Sequence, residues 1–561
     1  MKGRDATQKT PPSSPGRLKW GVQGFSFLLF ASLIFGMFHP LRGEIPHRLF
    51  LDLDPLVVLA SQFGTRNFYL LAALTLASAF LFGRFFCGYV CPLGFLIDLV
   101  PPGLKKNKPA KAGVGSSVDS GVSPPSADEL SGLRRGQGIR RVEGFEWVLL
   151  TVLVAGLILR NGLPYVLDPM GLLTRTMAVV VFPLAVWIAN GLTALVRPFA
   201  EQFGWYGIAY HAFAQPGTQG ALTSLVLLVG VLGLSSIRPR FWCRYLCPLG
   251  ALLAIPARVS LIRRKVAPTC TRCGQCQAAC PMGAVEDDPV RTRYSACLQC
   301  RSCQEVCPVE AVSFSLRSFR YVGRDAVHSG DPSRRRFFLG AGLGGILLVL
   351  TRLDPRVMKK AGRLLRPPGS IPESDFLAAC IRCGACLRVC VTRTLQASGI
   401  EDGLMGWGTP AHRMRTAGCE QACDLCGKIC PTGAIRELPL IERQHAKIGT
   451  AVLSRERCVA WAQDRLCLLC DEACPYNAIV FGVVDGRKRP FVDESRCNGC
   501  GMCEFVCPVD GDAAIVVYPT GEVRLKAGSY RKVLEESRIF LKPRTDSLDP
   551  AQESLDPDGF E

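Results

Sequence analysis

The sequence predicts a multidomain chain: an α-helical membrane domain followed by two cysteine-rich α+β modules of unequal size. Three observations predict it. The chain is 48% hydrophobic with a mean hydropathy of +0.21, and its apolar residues are gathered into runs flanked by Lys and Arg. All 28 cysteines fall into spaced motifs. The runs and most of the motifs occupy separate stretches, and 561 residues suffice for several domains. Disulfide-dense chains are short and secreted, so this many cysteines in a long chain point to metal instead. The net charge of +19 sits beside apolar segments and in one linker. The positive-inside rule accounts for it, and no nucleic-acid partner is expected.

The elements follow in order. Residues 1–19 are polar and basic, and the apolar run after them has no small-residue cleavage site, so it reads as an anchor. Apolar runs cover about 20–38, 68–86, 145–159, 177–195 and 221–237. A span takes roughly 20 apolar residues, with latitude. Four of the five read as spans. Residues 103–141 form a Lys-, Pro-, Ser- and Gly-rich loop without apolar period, expected to be disordered and cytoplasmic. The membrane domain, 1–260, repeats internally. Asp54-Pro55 matches Asp168-Pro169, and GRFFCGYVCPLG at 83–94 matches PRFWCRYLCPLG at 239–250. Two copies in the same order should share one orientation. That puts both CPLG segments in the cytoplasm and makes 177–195, with Pro183, re-entrant or interfacial rather than spanning.

A first cysteine-rich module is expected at 261–325. It reads Cys270, Cys273, Cys276, Cys280-Pro281 and then Cys297, Cys300, Cys303, Cys307-Pro308. This is the bacterial ferredoxin run, C-x2-C-x2-C-x3-C-P, for [4Fe–4S] clusters. Its tight loop wraps three thiolates onto one cubane, and the fourth cysteine serves the other cluster. So Cys270, Cys273, Cys276 and Cys307 form one expected site; Cys297, Cys300, Cys303 and Cys280 form the second. Zinc is the bland alternative for paired C-x2-C spacings, but it does not call for the x2-x2-x3-Pro order twice over.

The larger module, 359–541, holds four more runs. Cys380, Cys383, Cys386 and Cys390 keep the spacing, with Val391 in place of proline. Cys419, Cys423, Cys426 and Cys430-Pro431 widen one gap, and Cys458 stands apart from Cys467, Cys470 and Cys474-Pro475. Cys497, Cys500, Cys503 and Cys507-Pro508 are regular. Sixteen thiolates give four clusters, paired sequentially or nested. After the fourth cysteine come CPMGAV, CPVEAV, CPTGAI and CPYNAI, each a turn leading to a short strand. Both modules are therefore expected to be ferredoxin-like α+β, with six [4Fe–4S] clusters in all. The last four cysteines, Cys87, Cys91, Cys243 and Cys247, form two C-x3-C-P pairs. At i and i+4 they would share a helix face. They read as a metal centre or redox-active thiols, or else as buried small hydrophobes.

Between the modules, 326–358 contains Ser333-Arg334-Arg335-Arg336-Phe337 before a short apolar run. It resembles a twin-arginine export signal retained as an anchor. Residues 542–561 read as a disordered acidic tail.

With these motifs on the page, 20–315 resembles the NapH-type membrane polyferredoxins, and 333–530 resembles the NapG/MauM-type exported four-cluster ferredoxins, joined here in one chain. The resemblance implies a bacterial inner-membrane electron-transfer protein. It would draw on the quinol pool, with quinone as a further candidate cofactor, and deliver to an exported terminal reductase, such as a periplasmic nitrate reductase, or to that reductase's electron carrier. It could act as a quinol dehydrogenase component or as a pure carrier. The 270–307 module would be cytoplasmic and 361–561 periplasmic. His39, His47, Asp54 and Asp168 lie where quinol protons could be exchanged, although Asp-Pro also suits a helix start; no catalytic residue is assigned. The alternative is an assembly factor that reduces metal or thiols for a respiratory enzyme.

Overall fold

The computed structural model describes residues 15–36, 47–61, 66–100, 145–210, 217–316 and 364–544, with isolated positions between 338 and 349. His39, the 103–141 loop, Arg334, Arg335 and the tail beyond 544 lie outside the described residues.

The described residues between 15 and 260 are mainly helical, and the sequence repeat is also a repeat in space. Asp54 caps the helix Pro55–Ala60 by accepting from Leu56 N at 2.8 Å. Asp168 caps Pro169–Thr176 by accepting from Gly171 N at 2.7 Å. In both, proline at the first helical position loses an N–H that had no partner there. Later in each copy stands an apolar helix of 17 residues, Arg66–Phe82 or Ala221–Ile237, about 25 Å long. The CPLG segment follows it. The first helix, Pro15–Gly36, packs along the first CPLG helix, Pro92–Leu99.

Among the described residues, two helices are long and apolar enough to cross a membrane: Leu18–Gly36, and the 34-residue Pro169–Gln202. The chain returns after the second to the end it started from: Val179 near its start and Gly220 after it line one cavity with Ala397 of the larger module. Helix runs without a break from Pro169 through a wide π-turn at Met177–Val181 into Phe182–Gln202. Pro183 falls just after that turn, where the shifted hydrogen-bond register tolerates a missing N–H. Leu184, Trp187, Ile188, Leu192 and Leu195 on its outer face are exposed.

The two repeats are interlocked by exchanged arginines. Arg84 of the first donates to the Cys243 carbonyl at 3.2 Å, and Arg240 of the second donates to the Cys87 carbonyl at 2.9 Å. Arg240 also makes a two-pronged pair with Asp98, both bonds 2.7 Å, and Lys19 joins the same carboxylate at 2.8 Å.

The first α+β module is closed by antiparallel β1 (Ile262–Val266) and β2 (Val312–Leu316). The larger module has three more two-stranded antiparallel sheets: β3 (Leu395–Ala397) with β4 (Pro410–His412), β5 (Thr450–Leu453) with β8 (Ile515–Tyr518), and β6 (Ile479–Val484) with β7 (Arg487–Val492). β2, β6 and β8 each start just after a Cys-Pro turn. After Cys280-Pro281 and Cys430-Pro431 the strand shrinks to single bridges, Val285 to Thr292 and Ile435 to Ser370.

The modules hold opposite ends of the helical part. Arg84 N donates to Cys297 O at 3.1 Å, Leu261 N to Phe80 O at 3.0 Å, and Tyr89 Oη to Gln299 O at 3.3 Å. These fix the first module to the CPLG end. At the other end, Arg48 reaches Pro431 O at 3.3 Å and Arg388 reaches Phe35 O at 3.4 Å. Arg160 pairs with Asp375, and Arg382 donates to Gly162 O.

Candidate metal centres

Each regular cysteine run is a loop wound by left-handed residues on both sides of its second cysteine. Arg272 and Gly274 flank Cys273, Gln299 and Arg301 flank Cys300, Arg382 and Gly384 flank Cys383, and Gly499 and Gly501 flank Cys500, all with φ between 53° and 79°. A non-glycine residue there costs roughly 1–2 kcal/mol. The return is that the N–H two residues on is aimed at a sulfur. Gln299 N–H bonds Cys297, Arg382 N–H bonds Cys380, and Gly499 N–H bonds Cys497. The two irregular runs lack this winding; Asp424 and Leu468 keep negative φ.

The fourth cysteine of each run stands with the first three of its partner run. One cavity is lined by Cys280, Cys297, Cys300 and Cys303. Cys270, Cys273 and Cys276 lie together, and Cys307 packs in the same small core as Cys276. In the larger module the pairing is sequential, the point the spacing left open. Cys430 joins Cys380, Cys383 and Cys386 around one cavity. Cys390 lies beside Cys419, Cys423 and Cys426. Cys474 joins Cys497, Cys500 and Cys503 around another cavity, and Cys507 lies beside Cys458, Cys467 and Cys470.

The Cys-Pro-x-x-Ala repeat now has a reason. In three copies the alanine N–H donates back to the cysteine sulfur, Ala284 to Cys280 at 3.2 Å and Ala311 to Cys307 and Ala478 to Cys474 at 3.3 Å each; after Cys430 the donor is Ile435 at 3.5 Å, and in the longer turn after Cys507 it is Ala514 at 3.3 Å. Sequence reasoning missed two arginine donors. Arg264 reaches Cys276 Sγ at 3.3 Å, and Arg443 reaches Cys419 Sγ at 2.9 Å. Neither has a fixed offset from a motif that would reveal it.

The donor sets fit cubanes. Burial pushes the thiols of Cys297, Cys383 and Cys470 up to about 12 and that of Cys419 to about 11; such groups ionise only when a metal displaces the proton. Among the described residues no three His, Cys, Asp or Glu side chains converge closely enough for a single ion. A cubane needs wider sets, because each thiolate binds a separate corner iron. Each set of four thiols can therefore hold one cluster, while a compact zinc site is absent among the described residues.

The C-x3-C-P pairs differ from the shared-face expectation. Cys87 lies inside the helix Phe85–Tyr89, but Cys91 is the N-cap of the next helix. Likewise Cys243 sits in the π-turn Trp242–Leu246 and Cys247 caps Pro248–Ala257. Proline at the first helical position starts a new helix in each case. All four are 7–9% exposed and share one core. Asp54 and Asp168 are 0% and 1% exposed and lie side by side, with Tyr165 next to both. His47 donates through Nδ1 to Leu33 O, 3.1 Å away.

Four thiols per site, on N–H-lined loops, define an iron–sulfur electron carrier of the ferredoxin type. Family models described as 4Fe-4S dicluster domains match residues 263–308 and 465–510, and one described as a 4Fe-4S binding domain matches 67–109 and 221–268. Among curated relatives, the methylamine utilization ferredoxin-type protein MauM of Methylorubrum extorquens is 40% identical over 205 residues, 34% of this chain and 90% of the relative. The ferredoxin-type protein NapG of Escherichia coli is 35% identical over 214 residues, 35% and 90% of the two chains. NapF of the same organism is 30% identical over 158 residues, 28% and 87%. No solved structure matches. The chain belongs to the MauM/NapG ferredoxin-type family and transfers electrons through [4Fe–4S] clusters.

Proposed function

We propose that this chain is a membrane-bound conductor with six [4Fe–4S] clusters, passing electrons from quinol to an exported terminal reductase, such as a periplasmic nitrate reductase, or to its carrier. Residues 1–260 would be the membrane domain. The ligands would be the 24 cysteines of the six runs, grouped as the sets above. The observation that carries the reading is the linear order of those sets. Cys380, Cys383, Cys386 and Cys430 lie against the helical part, with Arg175 packed on Gly384. The Cys390 set comes next, and its Cys419 N–H bonds Cys500 O of the third set at 2.7 Å. The Cys458 set adjoins the third set, with Cys470 beside Cys503. One-electron steps along such a row need only spacing and burial, which the protein supplies.

Membrane insertion accounts for the exposed apolar faces of the helices, including Leu70, Leu74, Trp187, Leu192, Leu222 and Val226. The 270–307 module would then be cytoplasmic and 361–561 periplasmic, exported folded by the twin-arginine route. Asp54, Asp168 and Tyr165 offer quinol protons a destination at the end facing the larger module. The assembly-factor alternative is weaker, because the four C-x3-C-P thiols are buried and have no surface from which to reduce a bulky partner's metal or thiol.

The test is quinol-dependent cluster reduction in membranes containing the chain. Bleaching of the cluster absorption by a short-chain quinol, without a second enzyme, is expected. No reduction by quinol, with full reduction by dithionite, contradicts the quinol role.

A further inference from the structure

We propose that Asp54 and Asp168 share one proton and bind a second when the neighbouring cluster of Cys380, Cys383, Cys386 and Cys430 is reduced, so that the helical part takes up a proton with the electron. The inference rests on the reading that this set holds a cluster; it goes beyond the quinol reading and requires no quinol.

Three features carry it. The first is the pair itself. Asp54 Oδ1 accepts from Leu56 N and Asp168 Oδ2 from Gly171 N. The other oxygen of each, Asp54 Oδ2 and Asp168 Oδ1, is buried and accepts no N–H or O–H, although the two carboxyl groups lie within hydrogen-bond reach of each other. Two carboxylates that close in a buried site cannot both carry charge. One proton between them turns the repulsion into a hydrogen bond and leaves one net charge. That charge suits the place, because each aspartate caps a helix N-terminus. The two are matching positions of the sequence repeat, so the pair stands where the copies meet. A pure capping role would need neither their approach nor two unpartnered oxygens.

The second is what surrounds the pair. Tyr165, 3% exposed, lies beside both aspartates, and its Oη has no partner. Arg175, 6% exposed, faces Asp168, and its Nη2 has no partner. Cys87, on the helix Phe85–Tyr89, is within electrostatic reach of Asp54. On the other elements packed here, Arg48 pairs with Asp52 at 3.6 Å, Asp98 with Arg240 and Lys19, and Arg382 donates to the carbonyls of Met405 and Trp407. Ala221–Ile237, packed on Pro169–Thr176, carries no charged residue. A route for the proton adjoins the pair. Arg175, Thr223, Ser224 and Ser398 line a water-sized cavity with Val166, the neighbour of Tyr165. The Ser398 hydroxyl is also without a partner, and a polar cavity of this kind can hold water.

The third is the nearness of the cluster. Gly171, whose N–H Asp168 accepts, packs on the cluster loop: a Cβ there would lie 3.5 Å from Ile381 O, one residue after Cys380. Arg175 stands between Asp168 and Cys383, and a Cβ on Gly384 would lie 3.5 Å from Arg175 Cα. Taking the pair roughly 10 Å from the cube's charge centre and an effective dielectric of about 20, one added electron strengthens proton binding about 15-fold. In the step, the cluster gains one electron from a one-electron reductant. The singly protonated pair gains one proton from water, with a new O–H bond on an aspartate oxygen. On re-oxidation the electron passes to the Cys390 set and the proton returns to water.

The experiment uses the full chain, purified anaerobically. It is titrated with dithionite and mediators, without quinol, from about pH 5 to about pH 10, and followed by electron paramagnetic resonance. The Cys380 cluster is the signal that Cys430→Ser removes. Its potential should fall by about 70 mV in all as pH rises, the 15-fold converted at ~59 mV per tenfold. Asp54→Asn and, separately, Asp168→Asn should each flatten that slope. Asn is a good helix cap, and its amide can donate to the remaining carboxylate, so both variants keep the fold and about 24 iron per chain. A wild-type potential that does not move with pH, or an unchanged slope in either variant, overturns the proposal and leaves the six-cluster reading intact. If neither variant assembles, the wild type decides alone. Its reduction in weakly buffered solution should take up about half a proton per chain at the pH of steepest slope, and no uptake overturns the proposal. Because no quinol is present, a failed quinol assay leaves this result standing. Absence of acid-labile sulfide altogether would overturn both readings.

Discussion

Replacing Arg443 should shift one cluster potential and leave the others unmoved. Its guanidinium is 4% exposed, donates to Cys419 Sγ at 2.9 Å and is steadied by Gln421 O at 3.1 Å. Reduction adds a negative charge to the cluster, and the cation favours that state. Taking the guanidinium about 5–6 Å from the cubane's charge centre and an effective dielectric of about 20, the interaction is on the order of 3 kcal/mol. For a one-electron couple, about 1.4 kcal/mol corresponds to ~59 mV, so the charge is worth ~130 mV. Arg443→Gln should lower the potential of the Cys390/Cys419/Cys423/Cys426 cluster by roughly that amount, and Arg443→Lys should restore most of it. The assay is a redox titration of the full chain followed by electron paramagnetic resonance. If every potential stays within about 20 mV of wild type in Arg443→Gln, the electrostatic argument is wrong. A shift equally large in Arg443→Lys would show that geometry rather than charge is responsible.

Four further outcomes are expected. Asp98→Asn removes the anionic partner of buried Arg240 and should destabilise the detergent-solubilised protein by about 3–5 kcal/mol, seen as a lowered melting temperature; an unchanged melting temperature contradicts the interlock. Gly499→Ala places a Cβ 2.6 Å from the Gly449 backbone at φ +79° and should cost the chain about four iron, one cubane; full iron content would contradict it. Asp375→Ala releases Arg160 and Lys526 and should speed proteolytic separation of the larger module from the helical part, and equal cleavage rates would mean that this contact is unimportant. His412 is buried, and burial together with Arg443 pushes its pKa down to about 3. The unfolded chain, with a His pKa of about 6.5, then binds the extra proton first, so stability present above that value is lost as pH falls toward 3. The wild-type melting temperature should fall more steeply than that of His412→Gln between about pH 6.5 and 4.5, and parallel slopes would refute it.

What the sequence made legible was local. A ferredoxin run is a single loop, so its three-cysteine spacing and Cys-Pro turn could be read directly from residues such as Cys270–Pro281. The Cys-Pro-x-x-Ala repeat was visible, but its purpose, an N–H returned to the sulfur, needed coordinates. Cluster pairing was not legible, because it depends on which loops pack together, for instance through the bond from Cys419 N to Cys500 O. Arg443 and Asp98 act on partners 24 and 142 residues away, and no periodicity marks such contacts. The shared-face expectation for Cys87 and Cys91 failed because it carried helical spacing past the end of a helix at Tyr89; Pro92 signalled that Cys91 is a cap. The π-turn at Met177–Val181, which carries Pro183 within continuous helix, was not legible either, because no residue pattern marks it.

The central claim is that the six cysteine runs carry [4Fe–4S] clusters. Iron and acid-labile sulfide, counted per chain in the anaerobically purified Cys87→Ser/Cys243→Ser protein, test it most directly, because only the ferredoxin runs then remain complete. The account predicts about 24 of each, four per cubane. Zinc without sulfide, or iron well below that number in protein that is folded and monodisperse, would contradict it.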